Sequence, residues 1–221
     1  MQYQKIRFKF TKTGEFKYLS HLDMARFIIR ALAREDIKLE YSQGFNPKPR
    51  INFSNPTPLG VESLAEYSDI ALAEYYGAHE FRQNLNKQLK GKLKIVQAGT
   101  IKEKAKSLMA DIAVVLYSFK LIIPGENNLN QLSSQLGSIE DIKNSIYQFK
   151  FGSGEGNFSL LKLYGYAKIL KNQNNGIFKY NYFYDYFTDM TKKYSIDIYS
   201  VVKEEMFVLR EGTLMAPMEV I

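Results

Sequence analysis

The chain has 221 residues, of which 45% are hydrophobic, 14% aromatic and 24% charged, the composition of a folded protein with one large or two small domains. It contains no cysteine, which excludes disulfides, thiolate metal sites, a cysteine nucleophile and an iron–sulfur cluster held by its own thiolates. Its two histidines, His21 and His79, are far apart without carboxylates at metal-ligand spacing, so we predict no bound metal and no cofactor.

The positive charge is concentrated at the start of the chain. The net charge is +7 and the pI is about 9.3. Residues 1–50 hold 11 Lys and Arg against 5 Asp and Glu, which leaves 19 against 18 for the rest. A local excess of this kind attracts an anionic partner. An ordinary solvated face would explain the same charge, and the composition leaves both interpretations open.

The first residues predict a strand and not an export signal. Polar and apolar residues alternate from Tyr3 to Lys12, where a signal peptide would have a basic start and an apolar core. No later segment offers about 18 uninterrupted apolar residues for a membrane helix. We therefore expect a cytoplasmic protein without a membrane partner.

Periodicity in the first half of the chain predicts the order β-α-β-β-α-β. Ser20, followed three residues later by Asp23, predicts a capped helix that runs to about Glu35. The apolar face of this helix is predicted to comprise Leu22, Ala25, Ile28, Ile29 and Leu32. The other predicted elements are strands at Tyr3–Lys12, Ile37–Tyr41, Ile51–Phe53, Glu66–Tyr75 and Leu93–Ala98 and a helix at Ala78–Lys90.

The same order recurs in the second half. Its predicted elements are a strand at Ile112–Ile123, helical material at Asn127–Ile146, strands at Tyr147–Phe151 and Phe158–Ala167, a helix at Ile177–Tyr194 and a strand at Ile198–Arg210. The predicted fold class is therefore α+β, with two ferredoxin-like units in tandem, each an antiparallel sheet with helices on one face. The predicted domains are residues 1–102 and 103–221.

The predicted topology brings two polar segments of the first unit together. In a ferredoxin-like unit the loop after the second strand ends beside the start of the first helix. Ser20 and His21 should then lie next to the loop Ser42–Arg50. A helix start carries free backbone N–H groups and partial positive charge, so with Lys17 and His21 beside it this position favours a phosphate or carboxylate.

Three arginines follow on the same helix. Arg26, Arg30 and Arg34 recur every four residues and should form one exposed stripe. Such a stripe can contact phosphates. Pairing within the helix, for instance between Asp23 and Arg26, or a role in solubility explains it equally.

The loop SQGFNPKPR combines side chains that suit single-stranded RNA. Gln43 and Asn46 can read base edges or cap backbone groups, Phe45 can stack on a base, and Lys48 and Arg50 can contact phosphates. Its glycine and prolines would hold these side chains in one arrangement. A rigid turn alone accounts for the glycine, the asparagine and the prolines, but not for the lysine, the arginine and the aromatic ring together.

Sixteen residues in two segments give the chain a close resemblance to a known family, over Tyr3 to about Leu72. They are Ser20, His21, Leu22, Asp23, Arg26, Arg30, Ser42, Gly44, Phe45, Asn46, Pro47, Pro49, Pro58, Leu59, Gly60 and Glu66. The chain resembles the radical SAM-linked protein family, a bacterial domain of unknown function found fused to, or encoded beside, radical SAM proteins of the cobalamin-binding type. Lys48 stands where many members carry a histidine, which argues against a metal pair with His21.

The resemblance implies an accessory role. The expected function is a non-catalytic module, RNA- or ribosome-directed, that presents a substrate to a radical SAM partner holding the cluster. One alternative is a metal-independent endoribonuclease similar to tandem ferredoxin-like CRISPR RNA-processing enzymes, with His21 as general acid or base. The other is a protein-interaction domain whose basic face receives an acidic surface. The sequence predicts no oligomeric state.

Overall fold

The computed structural model describes residues 4–89, 91, 93–102, 104–124, 126–138, 140–171 and 173–221. The predicted strand start at Tyr3, the predicted helix end at Lys90 and the predicted domain boundary at residue 103 lie outside these residues. The chain divides into two compact units. The first comprises Met1–Ile112 and Met215–Ile221, and the second comprises Ala113–Leu214.

The first unit is built around strand β1. Its elements are β1 (Gln4–Lys12), a 3-10 turn (Gly14–Tyr18), α1 (His21–Arg34), β2 (Ile51–Phe53), β3 (Glu62–Leu72), α2 (Ala78–Gln88), β4 (Leu93–Ile101) and α3 (Leu108–Asp111). β1 pairs antiparallel with both β3 and β4, and β2 pairs antiparallel with β3. The alternating pattern of β1 predicted a strand correctly because one of its faces meets the helices.

Apolar periodicity explains the core of this unit. The side chains of Ile6, Phe8 and Phe10 on β1 are fully buried. α1 covers them with Met24, Ile28, Ala31 and Leu32, spaced as one helical face. The prediction that Leu22 belongs to this face is wrong, because its side chain is 57% exposed.

The second unit contains the remaining elements, except for the first residue of β5 and the last residue of β9. They are β5 (Ile112–Ile122), α4 (Glu126–Ser138), α5 (Glu140–Lys143), β6 (Ile146–Ser153), β7 (Phe158–Tyr166), α6 (Tyr180–Lys193), β8 (Asp197–Arg210) and β9 (Thr213–Met215). β7 pairs antiparallel with β5 and β6. Phe183 and Phe187 of α6 pack against Phe119 of β5, with ring centroids 5.5 and 5.3 Å apart.

The predicted fold class is wrong. The strands of the described residues join one nine-stranded sheet in the order β4-β1-β3-β8-β5-β7-β6, with β2 on β3 and β9 on β8. This replaces the two ferredoxin-like units in tandem, each with its own antiparallel sheet and helices on one face. Periodicity identifies a strand but not its partner, since any strand edge offers the same backbone groups. Burial of every residue from 65 to 72 in β3 also contradicts the alternation predicted there.

The predicted second strand is also wrong. Between Ile37 and Tyr41 the structure has only single bridge pairs, Leu39 with Leu72 and Tyr41 with Pro49. The segment predicted next, Ile51–Phe53, is the strand that pairs with β3. Within the described part of the chain, no helix has both the length and the apolar character needed to cross a membrane.

Candidate functional site

The start of α1 is capped as the sequence predicts. The Oγ of Ser20 accepts a hydrogen bond from the backbone N–H of Asp23 at 3.1 Å, and its hydroxyl donates to the carboxylate of Asp23 at 2.7 Å. These two bonds fix the first turn of the helix. They place His21 as the first helical residue, at the surface.

His21 packs against an aromatic ring. Its imidazole meets the ring of Phe53 edge to face, with ring centroids 5.2 Å apart. Phe53 is the last residue of β2, so this contact joins the start of α1 to the end of that strand. A catalytic imidazole needs a polar group that orients it, and Phe53 cannot supply one. Among the described residues no group of three or more potential ligands could hold a metal ion.

The other cations near the helix start are partly or fully exposed. The ammonium of Lys17 lies 5.4 Å from the ring centroid of Tyr18. Arg26 pairs with Asp23 at 3.5 Å, and both side chains are more than half exposed. An exposed pair contributes about 0–1 kcal/mol, so Arg26 remains available to an anion. Arg30 and Arg34 are exposed as well.

The loop Ser42–Arg50 is a hairpin closed by its own hydrogen bonds. The backbone N–H of Ser42 donates to the carbonyl of Lys48 at 2.9 Å, and the N–H of Lys48 donates to the Oγ of Ser42 at 3.0 Å. Gly44 has a φ of +122°, a conformation that favours glycine. Beyond this closure the side chains of Gln43, Phe45, Asn46 and Lys48 are exposed, and Phe45 is completely exposed.

The two predicted segments lie at the two ends of β2. Arg50 comes directly before β2, and Phe53 at its far end contacts His21. Three residues of strand span about 10 Å. Among the described residues, no hydrogen bond, ion pair or ring contact joins the hairpin residues 43–48 to Ser20 or His21. The base of the hairpin therefore approaches the helix start along β2, and the tip does not touch it.

A pocket at the start of β2 includes Arg50. It has a volume of about 350 Å³, and its polar lining residues are Lys5, Arg50, Asn52, Asp69 and Ser107. The strand pairing assembles it, because Asp69 on β3 stands between Arg7 on β1 and Asn52 on β2. Arg50 was predicted as a site residue, but the pocket was not predicted. The only signal for it was the placement of Lys5 and Arg7 on one face of β1.

The carboxylate of this pocket already has a cation. Arg7 donates from Nε and Nη2 to the two oxygens of Asp69 at 2.7 and 2.8 Å, and both residues are buried. Arg7 also donates to the backbone carbonyls of Pro217 and Lys106, at 3.4 and 3.3 Å. Arg7 therefore neutralises Asp69, and Lys5 and Arg50 are the other charged residues that line the pocket.

A buried polar cluster holds the proline-rich segment near the helix start. The hydroxyl of Thr57 donates to the carboxylate of Glu66, and both side chains are buried. The N–H of Gly60 donates to the carbonyl of Lys17 at 3.1 Å, with a φ of +82° at the glycine. These bonds give Gly60 and Glu66 a structural role, which is to position the turn that carries Lys17.

Comparison with known proteins shows which family the chain belongs to. The family model described as "Uncharacterized protein conserved in bacteria (DUF2344)" matches residues 5–160, more than two thirds of the chain. The chain belongs to the DUF2344 family. The match includes all ten predicted site residues, namely Lys17, Ser20, His21, Arg26, Arg30, Gln43, Phe45, Asn46, Lys48 and Arg50, and also the pocket beside Arg50.

Solved structures add little to the DUF2344 assignment. An unknown protein from Galdieria sulphuraria matches with 10% sequence identity and a TM-score of 0.28, over 89% of this chain and 96% of that protein. A likeness this distant carries no argument about function. No curated protein matches the chain.

Proposed function

We propose that this chain is a non-catalytic accessory protein that binds RNA through its first unit and acts with a separate radical SAM enzyme. One observation carries the proposal: the hairpin Ser42–Arg50 is closed by its own hydrogen bonds and exposes Gln43, Phe45, Asn46 and Lys48 to solvent. At the base of this hairpin, Arg50 lines a pocket whose carboxylate, Asp69, is already neutralised by Arg7.

Electrostatics favours a phosphate backbone as the partner. Residues 1–50 hold an excess of six positive charges in a chain whose net charge is +7. Six cationic residues of the first unit would contact the phosphates, and we call them the cationic group. They are Lys5, Lys17, Arg26, Arg30, Lys48 and Arg50. Neutralisation of phosphates by such residues releases counterions and supplies most of the affinity of sequence-independent binding.

The hairpin tip supplies the features that distinguish single-stranded RNA from a generic polyanion. Phe45 is fully exposed although burial would be favourable for its ring. A base can stack on it, and the amides of Gln43 and Asn46 on either side can meet base edges. The hydrogen bonds between Ser42 and Lys48 restrain the backbone of the loop before the RNA arrives, which lowers the entropy cost of binding.

The radical SAM partner comes from the sequence resemblance. The chain has no cysteine and cannot ligate an iron–sulfur cluster through thiolates. The cluster and the radical chemistry would therefore belong to another protein or another domain. The role of this chain would be to hold the RNA, or a ribosome-related substrate, in place.

The proposal is tested by RNA binding to the whole protein. We expect the affinity for a single-stranded RNA to fall steeply with salt, with a slope of about −0.7 in log K against log [salt] for each phosphate contact. Charge reversal of Arg26 and Arg30 to Glu should weaken binding. The matched control is charge reversal of Lys192 and Lys193, which are exposed on α6 and produce the same change in net charge. The proposal would be contradicted if RNA affinity did not depend on salt, or if both pairs of charge reversals lowered the affinity equally.

A second candidate function is docking of a protein, and one observation favours it. Three apolar side chains near the start of α1 are largely exposed: Tyr18 at 68%, Leu22 at 57% and Leu59 at 65%. Exposed apolar residues are typical of protein interfaces when they cluster. A pull-down of the radical SAM partner with and without nuclease separates the two functions, because a contact through protein alone survives removal of RNA.

A further inference from the structure

The second unit contains a larger pocket that the RNA proposal does not use. Its volume is about 610 Å³, within the range of small-molecule sites. It lies at the start of β6, beside the end of α5 and the segment Gln173–Asn175. All of its lining residues belong to the second unit.

Two tyrosines form one wall. Tyr147 and Tyr166 are half-buried and meet edge to face, with ring centroids 5.6 Å apart. Tyr166 also packs on the core of the unit around Val114. These contacts hold the rings in place, so they offer a planar ligand a preformed stacking surface.

Amide side chains form the rim. Asn175 fixes the segment, because its Oδ1 accepts from the N–H of Leu170 at 2.9 Å and its Nδ2 donates to the carbonyl of Lys168 at 2.9 Å. This holds Gln173 and Asn174 at the pocket, which Gln148 of β6 also lines. The side-chain amides of these three residues have no hydrogen-bond partner among the described residues. They are available to a ligand.

We propose that this pocket binds a single adenine base, stacked on the tyrosines and held at its edge by the amides. An amide presents one donor and one acceptor together, and Asn or Gln pairs in this way with N6 and N7 of adenine. Guanine is commonly read by arginine or lysine and cytosine by a carboxylate acceptor. The described lining residues include no arginine and no carboxylate, and their one lysine, Lys143, is assigned to the phosphate. The ammonium of Lys143, which also lines the pocket, can pair with the phosphate of the same nucleotide.

The base can come from a free nucleotide or from a strand of RNA. In the second case the inference deepens the proposed function, because the second unit would add one base contact to phosphate binding by the cationic group. If the base comes from a free nucleotide, the adenine site is independent of the proposed function. The chemistry is the same, so the experiment has to distinguish the two sources.

Titration of the whole protein with mononucleotides tests the pocket. AMP should bind, with GMP, CMP and UMP weaker and ribose 5-phosphate weakest, as measured by calorimetry and by NMR shifts of unit-two amides. Tyr147→Ala should weaken the binding of AMP about ten-fold. Tyr147→Phe should retain most of the affinity, because stacking needs only the aromatic ring. Gln148→Ala should reduce the preference for AMP over GMP. The control is Gln131→Ala, an exposed amide on α4 that does not line the pocket.

The outcomes separate this inference from the proposed function. Equal binding of AMP and ribose 5-phosphate, tighter binding of GMP, or loss of AMP binding in Gln131→Ala would overturn the adenine site. If salt-dependent RNA binding persists in Tyr147→Ala, this result would still support RNA binding by the first unit. If AMP binds and RNA does not, the source is a free nucleotide and the RNA proposal fails. The last comparison uses an RNA with a single adenine and the same RNA with that position abasic. If the abasic RNA binds the wild type more weakly but binds Tyr147→Ala equally well, the base that enters the pocket comes from RNA.

Discussion

Arg7 on β1 and Asp69 on β3 form a bidentate ion pair inside the first unit, with N–O distances of 2.7 and 2.8 Å. Both side chains are buried. Removal of Arg7 would leave the charge of Asp69 without a partner, which costs about 3–5 kcal/mol for a buried pair. We therefore expect Arg7→Met to lower the free energy of unfolding by this amount, as measured by urea denaturation.

The double variant is the control for this prediction. Arg7→Met combined with Asp69→Leu removes both charges and should recover much of the lost stability, because a buried pair replaced by apolar residues is often close to neutral. If the double variant is as unstable as the sum of the two single variants, the pair does not act as a compensated unit.

Phe45 at the hairpin tip should matter for binding but not for folding. Its ring is completely exposed, so Phe45→Ala should leave the unfolding free energy unchanged. Loss of a stacking ring costs about 1–3 kcal/mol per base, so RNA affinity should fall about five-fold or more. Anisotropy titrations with a labelled RNA measure this. The matched control is Tyr75→Ala, another strongly exposed ring in the same unit, which should bind RNA as the wild type does.

The elements of the first unit could be predicted because they depend on local pattern. The Ser20 cap lies within four residues of sequence, and the alternation of β1 reflects one buried face. The pairing of strands depends on contacts between residues far apart along the chain. Periodicity does not indicate which strand pairs with each edge of β3. The single sheet was therefore not predicted.

The site was predictable in part for the same reason. The exposed arginines of α1 and the hairpin side chains follow from spacing and from turn chemistry. The pocket does not, because strand register places Asp69 opposite both Arg7 and Asn52. A polar residue facing away from the core of β1 is expected to be exposed, and Arg7 is buried only because Asp69 and two carbonyls satisfy it.

His21 separates the binding function from the nuclease alternative. Its ring contacts Phe53 and has no polar orienting group in the described structure. We expect a single-stranded RNA to stay intact during long incubation with the wild-type protein in the presence of a chelator, as judged on denaturing gels. His21→Ala should alter RNA affinity by less than the Arg26 and Arg30 reversal does. Cleavage by the wild type that disappears in His21→Ala would establish the endoribonuclease alternative and refute a purely binding role.

Lys12 should give the stability of the protein a characteristic dependence on pH. Its side chain is 3% exposed beside Glu66. Burial lowers the pKa of Lys12, and the carboxylate of Glu66 offsets part of this effect. Below the lowered pKa both the folded and the unfolded chain hold the proton, and folding bears the full cost of burying the charge. Between the lowered pKa and the ordinary value of 10.5 the unfolded chain binds more protons, so the free energy of unfolding rises with pH.

The difference in unfolding free energy between the wild type and Lys12→Met should therefore shift in favour of the wild type as the pH approaches 10.5 and be constant at lower pH. Urea denaturation at stepped pH measures it. Lys38→Met is the control, since the hydrogen bond of Lys38 to Asp36 raises the pKa of Lys38 and its contribution should not change below 10.5. A flat difference for Lys12 over the same range would show that its ammonium is solvated in the folded protein and is not part of the buried cluster with Glu66.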